Sequence, residues 1–434
     1  MYKTDGSTYI KITDLKALNN RLTVNLDFSE NISRYFTTNC FLAEYDKNIE
    51  SVDKSILSIP PLSTVITVAW ATGADIYVEY LDKTYLNSLN KVESVFKTWF
   101  PQFLFSTKIH VGNIVSNKFN NEEYALLFSG GIDSLCSYIR NKEKKPTLIS
   151  IWGADIPTYE YDFWNKIKGR LVDFANHEKV DIHFIKTNAR ELINNGLIGK
   201  EYGEIEGGWW ETVSHGLVLT GITAPLQEFK FLFIASAFDN EYKNPHGSHF
   251  FNFVNAGWAD TKIVYDSSDL TRQEKIKFIL RGNPQYHAYL KVCHSQFRDY
   301  NCGTCEKCLR TITGLVLEDI DPTNCSFHIK NGVFNLIKGY FSRHLFNLER
   351  NQILFWQDIQ NNIPNNIDDD KMYNSKEFFE WFKGFDLSSY EYKGNNKLSQ
   401  LLGIYYLTKY KGISYTAKRV SKYILRRLRL MKRG

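Results

Sequence analysis

The stretch Tyr124-Ala-Leu-Leu-Phe-Ser-Gly-Gly-Ile-Asp-Ser134 joins an apolar run to a pair of glycines, and Leu-Cys-Ser-Tyr-Ile-Arg140 follows with helical character. This order predicts a strand, then a glycine turn, then the N-terminus of a helix. A helix N-terminus presents backbone N–H groups and the positive end of the helix dipole, which suits an anion. The stretch therefore predicts an anion-binding turn at the end of a strand in an α/β sheet.

The individual residues of the turn support the same interpretation. Gly130 and Gly131 let the backbone approach a phosphate without an intervening side chain. Ser129 and Ser134 add hydroxyl donors, and Asp133 can cap the helix or orient a metal ion. No Gly-Lys-Ser/Thr follows at the Walker spacing, so the turn is not a Walker P-loop. A plain strand–helix turn with capping serines is the alternative.

The second informative feature is a cysteine cluster, Cys293 followed by Cys302-Gly-Thr-Cys305-Glu-Lys-Cys308. Two overlapping C-x-x-C steps place three sulfurs around one tight turn, and four thiolates can close a tetrahedral zinc shell. Disulfides or a redox C-x-x-C pair are the alternatives. They are disfavoured because no secretory signal peptide is recognised and a 434-residue chain has ample core. His294 could replace Cys293, but adjacent side chains rarely converge on one ion.

Both features resemble a known family. Ser129-Gly-Gly-Ile-Asp-Ser134 resembles the pyrophosphate loop of the PP-loop ATP pyrophosphatases, which cleave ATP to AMP and pyrophosphate. Combined with the late C-x8-C-x2-C-x2-C cluster, it resembles the 7-cyano-7-deazaguanine synthase family, over roughly residues 60 to 325. Three further stretches look like longer relatives of that family: Cys302-Gly-Thr-Cys-Glu-Lys-Cys-Leu-Arg-Thr311, Gly247-Ser-His249 and Thr271-Arg-Gln-Glu-Lys-Ile276.

The resemblance implies a doubly wound parallel sheet of the PP-loop (HUP-like) type. It also implies ATP with Mg²⁺ at the glycine turn and a structural Zn²⁺ on Cys293, Cys302, Cys305 and Cys308. The expected reaction is adenylation of a substrate carboxylate, followed by attack of ammonia or an amine, which makes the protein a carbon–nitrogen ligase. The nitrogen donor is expected to come from solution or from a partner protein, because Cys40 is the first cysteine and an N-terminal cysteine glutaminase is therefore not expected.

The chain divides into three predicted domains: an N-terminal α+β lobe at residues 1–120, the PP-loop domain with its zinc knot at 121–328, and a helical region with a basic tail at 329–434. The lobe is predicted from alternating or compact apolar stretches. The predicted elements are strands at Tyr9–Ile12, Leu22–Phe28, Asp75–Tyr80, Thr147–Trp152, Asp181–Lys186 and Phe229–Ala235, and helices at Pro60–Trp70, Trp209–Leu219, Phe334–Trp356 and Ser375–Phe385.

Strand ends and the zinc knot supply the remaining site candidates, because ligands of open α/β sheets bind outside the carboxyl ends of strands. Backbone atoms near Ile151 and Trp152 could hold adenine, with Asp155 facing the nucleotide. Arg272 and Lys275 lie one helical turn apart and could meet a pyrophosphate, or could form an exposed charged face. The candidates for catalysis are Asp133, Asp239, His249, Lys307 and Arg310, with His246 and Ser248 in the same loop as His249.

Composition limits the class of protein. Hydrophobic residues make up 43% of the chain, which is ordinary for a globular protein, and no apolar run reaches the ~18 residues of a membrane span. The whole chain carries +5, and residues 409–434 alone carry +10, so residues 1–408 carry −5. The sequence predicts a cytoplasmic protein whose basic tail could lie on the anionic inner membrane surface.

The sequence is compatible with several functions. The substrate is expected to be a small carboxylate, a deazapurine by the nearest resemblance. An amidotransferase acting on a surface-sugar acid is the alternative within the same enzyme class. A non-catalytic zinc protein that binds nucleic acid is the alternative from another class. Two observations argue against a nucleic-acid-binding protein. Residues 1–408 carry a net negative charge, and the basic residues are not interleaved as in a nucleic-acid groove.

Overall fold

The computed structural model describes residues 8–202, 208–242, 256–293, 300–343, 346, 348–388 and 390, and, further on, residues 404, 405, 408, 413, 414, 416, 417, 420 and 421. The chain forms two compact units. The first comprises Met1–Ser129 and Cys136–Asp269, and the second comprises Gly130–Leu135 and Leu270–Gly434. The three predicted domains, residues 1–120, 121–328 and 329–434, have other bounds than these two units and remain a prediction.

The first unit is an α/β structure around one mixed, mostly parallel sheet. The eleven strands lie in the order β10-β11-β9-β6-β7-β8-β3-β2-β1-β4-β5. Their bounds are β1 Tyr9–Leu18, β2 Arg21–Phe28, β3 Cys40–Glu44, β4 Asp75–Asp82, β5 Ile109–Val115, β6 Tyr124–Leu127, β7 Thr147–Trp152, β8 Ile182–Thr187, β9 Phe231–Ala235, β10 Gly257–Trp258 and β11 Thr261–Asp266. All the strands predicted from the sequence are present.

Strands β8, β7, β6, β9 and β11 are neighbours in that order, and each adjacent pair is parallel. In chain order they are the third, second, first, fourth and fifth of the group, so the strand order reverses between β6 and β9. The apolar runs predicted at Thr147–Trp152 and Phe229–Ala235 form central strands of this group. Central parallel strands are covered on both faces, which explains why these runs are nearly continuously apolar.

The strands of the predicted N-terminal lobe belong to the same sheet. Strand β3 pairs antiparallel with β8, with Ala43 opposite Thr187 and Glu44 opposite Lys186. Strand β2 joins β3 to β1, and β1 pairs in parallel with β4. The alternating sequences of β1 and β2 therefore extend the parallel group into a larger mixed sheet.

Helices and short helical turns accompany the strands of the first unit. They are α1 Glu30–Ser33, α2 Lys54–Leu57, α3 Ile59–Thr72, α4 Lys83–Trp99, α5 Ile132–Asn141, α6 Tyr161–Glu178, α7 Ala189–Leu192, α8 Asn195–Glu201 and α9 His215–Gly221, with a π-helical turn at Trp210–Ser214 and 3₁₀ turns at Lys142–Lys144 and Ala224–Leu226. Helix α5 begins in the second unit and continues in the first.

Helix α3 is the helix predicted at Pro60–Trp70. Prolines stand in its first turn, where the missing N–H does no harm, and every one of its residues is buried. By length and composition alone, Lys54–Thr72 could cross a membrane, and it is the one such stretch among the described residues. It contains serines and threonines, so counting a continuous apolar run does not find it. Residues 55–72 of this stretch are all buried, as in a core helix.

Apart from the start of helix α5, the helices of the second unit lie in its long piece, Leu270–Gly434. They are α10 Arg272–Lys275, continued by a π-helical stretch Ile276–Arg281, then α11 Glu306–Leu317, α12 Val333–Ser342, α13 Arg350–Asn361 and α14 Lys376–Lys383, with 3₁₀ turns at Pro284–Tyr289 and Met372–Asn374. The unit has an aromatic core of its own. The ring of Phe341 lies 4.8 Å from that of Trp356 and 5.2 Å from that of Phe382. The helices predicted at Phe334–Trp356 and Ser375–Phe385 are thus confirmed as helical segments, the first in two parts.

Candidate metal centre and anion site

Four cysteine sulfurs converge in the second unit. The Sγ atoms of Cys293, Cys302, Cys305 and Cys308 all lie within 4.8 Å of one another. The distances between Cys293 and Cys305 and between Cys302 and Cys308 are both 3.8 Å. Two sulfurs of a tetrahedral zinc site stand about 3.8 Å apart when each zinc–sulfur distance is about 2.3 Å. The cluster could therefore hold a metal ion such as zinc, as predicted.

The chemistry of the four thiols fits a metal site better than a disulfide. All seven cysteines of the chain lie in described positions and none is disulfide-bonded. Hydrogen bonds from the other three thiols lower the pKa of Cys302 well below its ordinary value, whereas burial and the neighbouring thiols raise the pKa of Cys308. Four crowded thiols cannot all ionise without a cation, and a bound metal ion would supply the missing positive charge.

Backbone geometry shapes the cluster. Gly303 adopts a left-handed conformation with φ +65°, and a Cβ there would lie 3.0 Å from the carbonyl oxygen of His328. The turn lets the backbone N–H of Cys305 donate to Sγ of Cys302 at 3.3 Å. Asn301 is completely buried, and its side-chain oxygen accepts from the backbone N–H groups of Val292 and Cys293. Asn301 thus ties the segment of Cys293 to the turn that carries the other three cysteines.

The glycine turn has the local structure predicted for it. Strand β6 ends at Leu127, helix α5 begins at Ile132, and Gly130 adopts φ +72°. A positive φ at this position is available to glycine and disfavoured for other residues. The hydroxyl of the buried Ser134 donates to the carbonyl oxygen of Gly131 at 3.2 Å. The turn is therefore a short strand-to-helix connection, and at least one hydrogen bond of Ser134 stabilises it.

Asp133 faces two cations that come from helix α10. Its Oδ2 accepts from Nη2 of Arg272 at 2.7 Å, and its Oδ1 lies 3.6 Å from Nζ of Lys275. Lys275 is completely buried, and Arg272 exposes 11% of its side chain. The alternative of an exposed charged helix face is therefore wrong for both residues. Burial raises the pKa of Asp133, but the charges of Arg272, Lys275 and Lys307 outweigh burial and hold that pKa below its ordinary value.

Arg310 belongs to the same group of charges. Helix α11 places it one turn after Glu306, and Nε of Arg310 donates to Oε1 of Glu306 at 2.7 Å. The same carboxylate oxygen accepts from the indole N–H of Trp356 at 3.0 Å. The ring of Phe355 lies 4.5 Å from the guanidinium carbon of Arg310 and 4.6 Å from that of Arg272. Helix α13 therefore supplies a ring that both arginines contact.

Some of the buried hydrogen-bond donors in the group of charged residues around Asp133 have no acceptor. In the part of the chain that the structure describes, Nε of Arg272 and Nη1 of Arg310 are buried and make no hydrogen bond. A buried guanidinium donor without a partner destabilises the folded state by about 1–3 kcal/mol. An anion that accepts from these donors would recover part of that free energy. The cluster is therefore suited to bind a negatively charged group.

One hydrogen bond connects the glycine turn to the segment that leads into the cysteine cluster. The backbone N–H of Lys291 donates to the carbonyl oxygen of Gly130 at 2.7 Å, and Lys291 stands two residues before Cys293. Helix α11 starts directly after Cys305 and carries Lys307 and Arg310. We call Asp133, Arg272, Lys275, Lys307 and Arg310 the candidate anion site. The cysteine cluster therefore fixes the backbone at two places beside this site, the segment of Lys291 and the start of helix α11.

The other predicted site residues lie in the first unit or outside the described residues. Ile151 and Trp152 end strand β7, and the buried indole of Trp152 stacks on Trp164 at 5.6 Å while its N–H donates to Pro157. Asp155 is exposed in the loop that follows. The carboxylate of Asp239 accepts from the backbone N–H groups of residues 241 and 242, so it stabilises a turn after β9. His246, Ser248 and His249 lie outside the described residues, as does most of the basic tail.

Sequence reasoning missed three residues of this region, namely Asn301, Phe355 and Trp356. Asparagine between two cysteine segments carries no distinctive spacing. The two aromatic residues stand in a helical pattern that indicates only a buried face. Comparison of the chain with protein-family models, with curated proteins and with solved structures gave no match.

Proposed function

We propose that this protein is a PP-loop ATP pyrophosphatase that activates a substrate carboxylate as its adenylate and joins it to ammonia or an amine. The observation that carries the proposal is the position of Asp133. The carboxylate of the predicted pyrophosphate loop contacts two buried cations, Arg272 and Lys275, which come from a segment that the sequence singled out independently. A plain structural turn gives no reason for two buried cations beside it.

The strand order supports the same proposal. The parallel group reverses its order between β6 and β9. In doubly wound sheets, ligands bind outside the carboxyl ends of the strands at such a reversal. The glycine turn follows β6, one of the two strands at the reversal. This order supports our proposal that the parallel group is a doubly wound sheet of the PP-loop type.

In the proposed reaction, a carboxylate oxygen of the substrate attacks the α-phosphorus of ATP. The bond from the α-phosphorus to the bridging oxygen breaks, and pyrophosphate leaves with that electron pair. The nitrogen nucleophile then attacks the acyl carbon, the bond to AMP breaks, and the nitrogen loses a proton. The enzyme contributes positioning and neutralisation of phosphate charge. Arg272, Lys275 and Lys307 would supply that charge, and Gly130 and Gly131 would let the backbone approach the phosphates.

We infer that the four cysteines bind zinc in a structural role. Four thiolates complete a tetrahedral shell, and catalytic zinc sites keep one position open for water or substrate. The ion would hold the segment of Lys291, which bonds Gly130, and the start of helix α11, which carries Lys307 and Arg310. Zinc would therefore support the reaction by fixing the site, without touching the reacting atoms.

The substrate acid of the proposed reaction is either a deazapurine acid or a sugar acid, because both require the same activation chemistry. A nucleic-acid-binding protein would present its cations at the surface, where phosphates can reach them. Lys275 is completely buried, and Arg272 and Arg310 are nearly so. The burial of these cations favours a small, enclosed anion over a polynucleotide.

The test is the identity of the products from ATP. The full chain is incubated with MgATP, hydroxylamine and a panel of carboxylic acids, including deazapurine and sugar acids, and the products are followed by ³¹P NMR and by hydroxamate formation. We expect AMP and pyrophosphate in equal amounts, with hydroxamate from the substrate acid. Replacing both cations, Arg272→Gln with Lys275→Met, should lower the rate at least 100-fold.

Lys338→Met is the matched control, because it also removes a lysine of the second unit, one paired with the exposed Glu377. It should leave the rate within about twofold. Formation of ADP and inorganic phosphate, or equal rates in the double variant and the parent, would contradict the proposed function.

A further inference from the structure

The charges around Asp133 indicate which kind of ligand can bind beside it. In an adenylating enzyme this carboxylate could bind a magnesium ion, as the sequence suggests. In the structure it contacts Arg272 at 2.7 Å and Lys275 at 3.6 Å, and Lys307 adds a third positive charge nearby. A divalent cation bound to Asp133 would have to enter the field of these three cations. The surroundings of Asp133 are therefore suited to an anion and disfavour a metal ion.

The two cations require a counter-charge in the absence of a ligand. A buried ammonium or guanidinium group without a partner is strongly destabilising, and Lys275 has no exposed surface. Asp133 contacts both cations and provides such a charge from the chain itself, and Glu306 and Asp358 add negative charge near Arg272. Asp133 occupies the place beside Arg272 and Lys275 where a phosphate oxygen of a ligand would also bind.

We propose that Asp133 is a built-in counter-ion, which a phosphate-type anion displaces from Arg272 and Lys275 when it binds. Exchange of one carboxylate charge for a ligand with two or more charges strengthens the interaction with the three cations. The buried donors Nε of Arg272 and Nη1 of Arg310 are further groups that such a ligand could use. The ligand class is an inorganic or organic phosphate with several charged oxygens. That the anion is pyrophosphate rests on the proposed function, whereas the exchange itself does not.

This inference predicts an effect opposite to that of losing a metal ligand. A counter-ion competes with the anion, so its removal should tighten anion binding by freeing the competent form of the site. Asp133→Asn is nearly isosteric and neutral. The test is calorimetric titration of inorganic pyrophosphate into the full chain without magnesium. We expect Asp133→Asn to bind pyrophosphate at least tenfold more tightly than the parent, and Arg272→Gln to bind at least tenfold more weakly.

Asp319→Asn is the matched control, since it removes a carboxylate of the second unit that pairs with Lys371, and its left-handed backbone tolerates asparagine. It should leave pyrophosphate affinity unchanged, which shows that a lower net charge alone does not explain the result. Titration with Mn²⁺ alone should give the same affinity for the parent and for Asp133→Asn. Weaker pyrophosphate binding by Asp133→Asn, or loss of Mn²⁺ binding, would overturn the inference in favour of a metal ligand.

Asp133→Asn leaves two buried cations without their counter-ion, so the variant could fail to fold. A second measurement therefore uses the parent chain. In a crystal structure with pyrophosphate, Nη2 of Arg272 should bond the ligand and lie beyond hydrogen-bond distance of Oδ2 of Asp133. A pyrophosphate complex that keeps the bond between Arg272 and Asp133 would refute displacement. If pyrophosphate displaces Asp133 but ATP yields no AMP, the proposed reaction fails and the counter-ion inference stands.

Discussion

Gly153 shows how a single residue fixes the end of a strand. It follows β7 with φ +107°, and a Cβ built on it would lie 1.8 Å from the carbonyl oxygen of Thr187. Substitution Gly153→Ala should lower the free energy of unfolding by about 3 kcal/mol or more, because both the backbone conformation and the close approach exclude a side chain. Denaturant unfolding followed by circular dichroism measures the change.

Gly169 provides the matched control for Gly153. It lies within helix α6, and a Cβ there would meet nothing within 4 Å. Gly169→Ala should therefore be neutral or stabilise the chain by up to about 1 kcal/mol, since alanine favours a helix interior over glycine. Equal unfolding midpoints for the two alanine variants would show that the turn after β7 relaxes at little energetic expense.

His183 couples the stability of the first unit to pH. It is nearly buried, and its Nδ1 and Nε2 lie 3.0 Å from Asp46 and 3.2 Å from Glu228. Burial lowers the pKa of His183, but Asp46 and Glu228 outweigh burial and raise that pKa above 6.5. Burial also raises the pKa of Asp46, but the bond and charge of His183 and the backbone N–H of Phe184 together outweigh burial and lower that pKa below 3.8.

The sign of the pH dependence follows from these two shifts. The raised pKa of His183 contributes stability that is fully present below about pH 6.5 and is lost as pH rises through the folded-state pKa. The lowered pKa of Asp46 contributes stability that is present above about pH 4 and is lost as pH falls through its folded-state pKa. Urea unfolding should therefore show lower stability at pH 9 than at pH 6. His183→Gln should flatten this slope, and a variant with the parent's full slope would refute the assignment.

Helix α13 acts as a support for helix α11. Its residue Trp356 donates an indole N–H to Glu306, and Glu306 in turn accepts from Arg310. Trp356→Phe keeps an aromatic ring but removes the donor and leaves a small cavity, so it should lower the free energy of unfolding by about 1–3 kcal/mol. If Arg310 helps to bind the anion, pyrophosphate should also bind less tightly to this variant. Calorimetry tests this, with Trp381→Phe as the control in a neighbouring helix.

The elements of this fold were predictable from the sequence to different degrees. Strands β6 and β7 were predictable because their apolar runs end in glycine or polar residues, and helix α3 because proline opens an apolar stretch. The pairing of β3 with β8 was not predictable, because its contacts join residues about 140 positions apart. Two-residue strands such as β10 carry too few side chains to give a pattern.

The candidate site was predictable where it is local and not where it is assembled from distant segments. The spacing of Cys302, Cys305 and Cys308 within one turn indicates a metal centre directly. The contact of Asp133 with Arg272 joins segments about 140 residues apart. The sequence therefore left two interpretations of Arg272, a contact with pyrophosphate or a place on an exposed charged helix face. The contribution of Phe355 depends on helix packing, which a periodic apolar pattern leaves undetermined.

At the scale of the whole molecule, the metal centre should govern the stability of the second unit. We expect one zinc ion per chain by elemental analysis. Removing it with a chelator, or replacing one ligand by Cys305→Ser, should lower the melting temperature by about 10 °C or more, because structural zinc contributes directly to folding. Pyrophosphate affinity should fall as well, since Lys291 and helix α11 would lose their common support.

Cys40→Ser is the control for the metal, because Cys40 lies half-buried on β3, away from the cluster in sequence and in the other unit. It should keep both the zinc content and the melting temperature of the parent. A zinc-free chain with an unchanged melting temperature would remove the metal from the account of the site.

The second unit is built from two separate pieces of chain, Gly130–Leu135 and Leu270–Gly434. On the ribosome, the short piece emerges about 135 residues before the first residue of the long one. At a synthesis rate of about 5–20 residues per second, Asp133 waits on the order of ten seconds before Arg272 and Lys275 exist. During that interval the growing chain exposes the glycine turn without its companions. A gene fragment that begins at residue 270 would therefore encode a unit that lacks the glycine turn and Asp133.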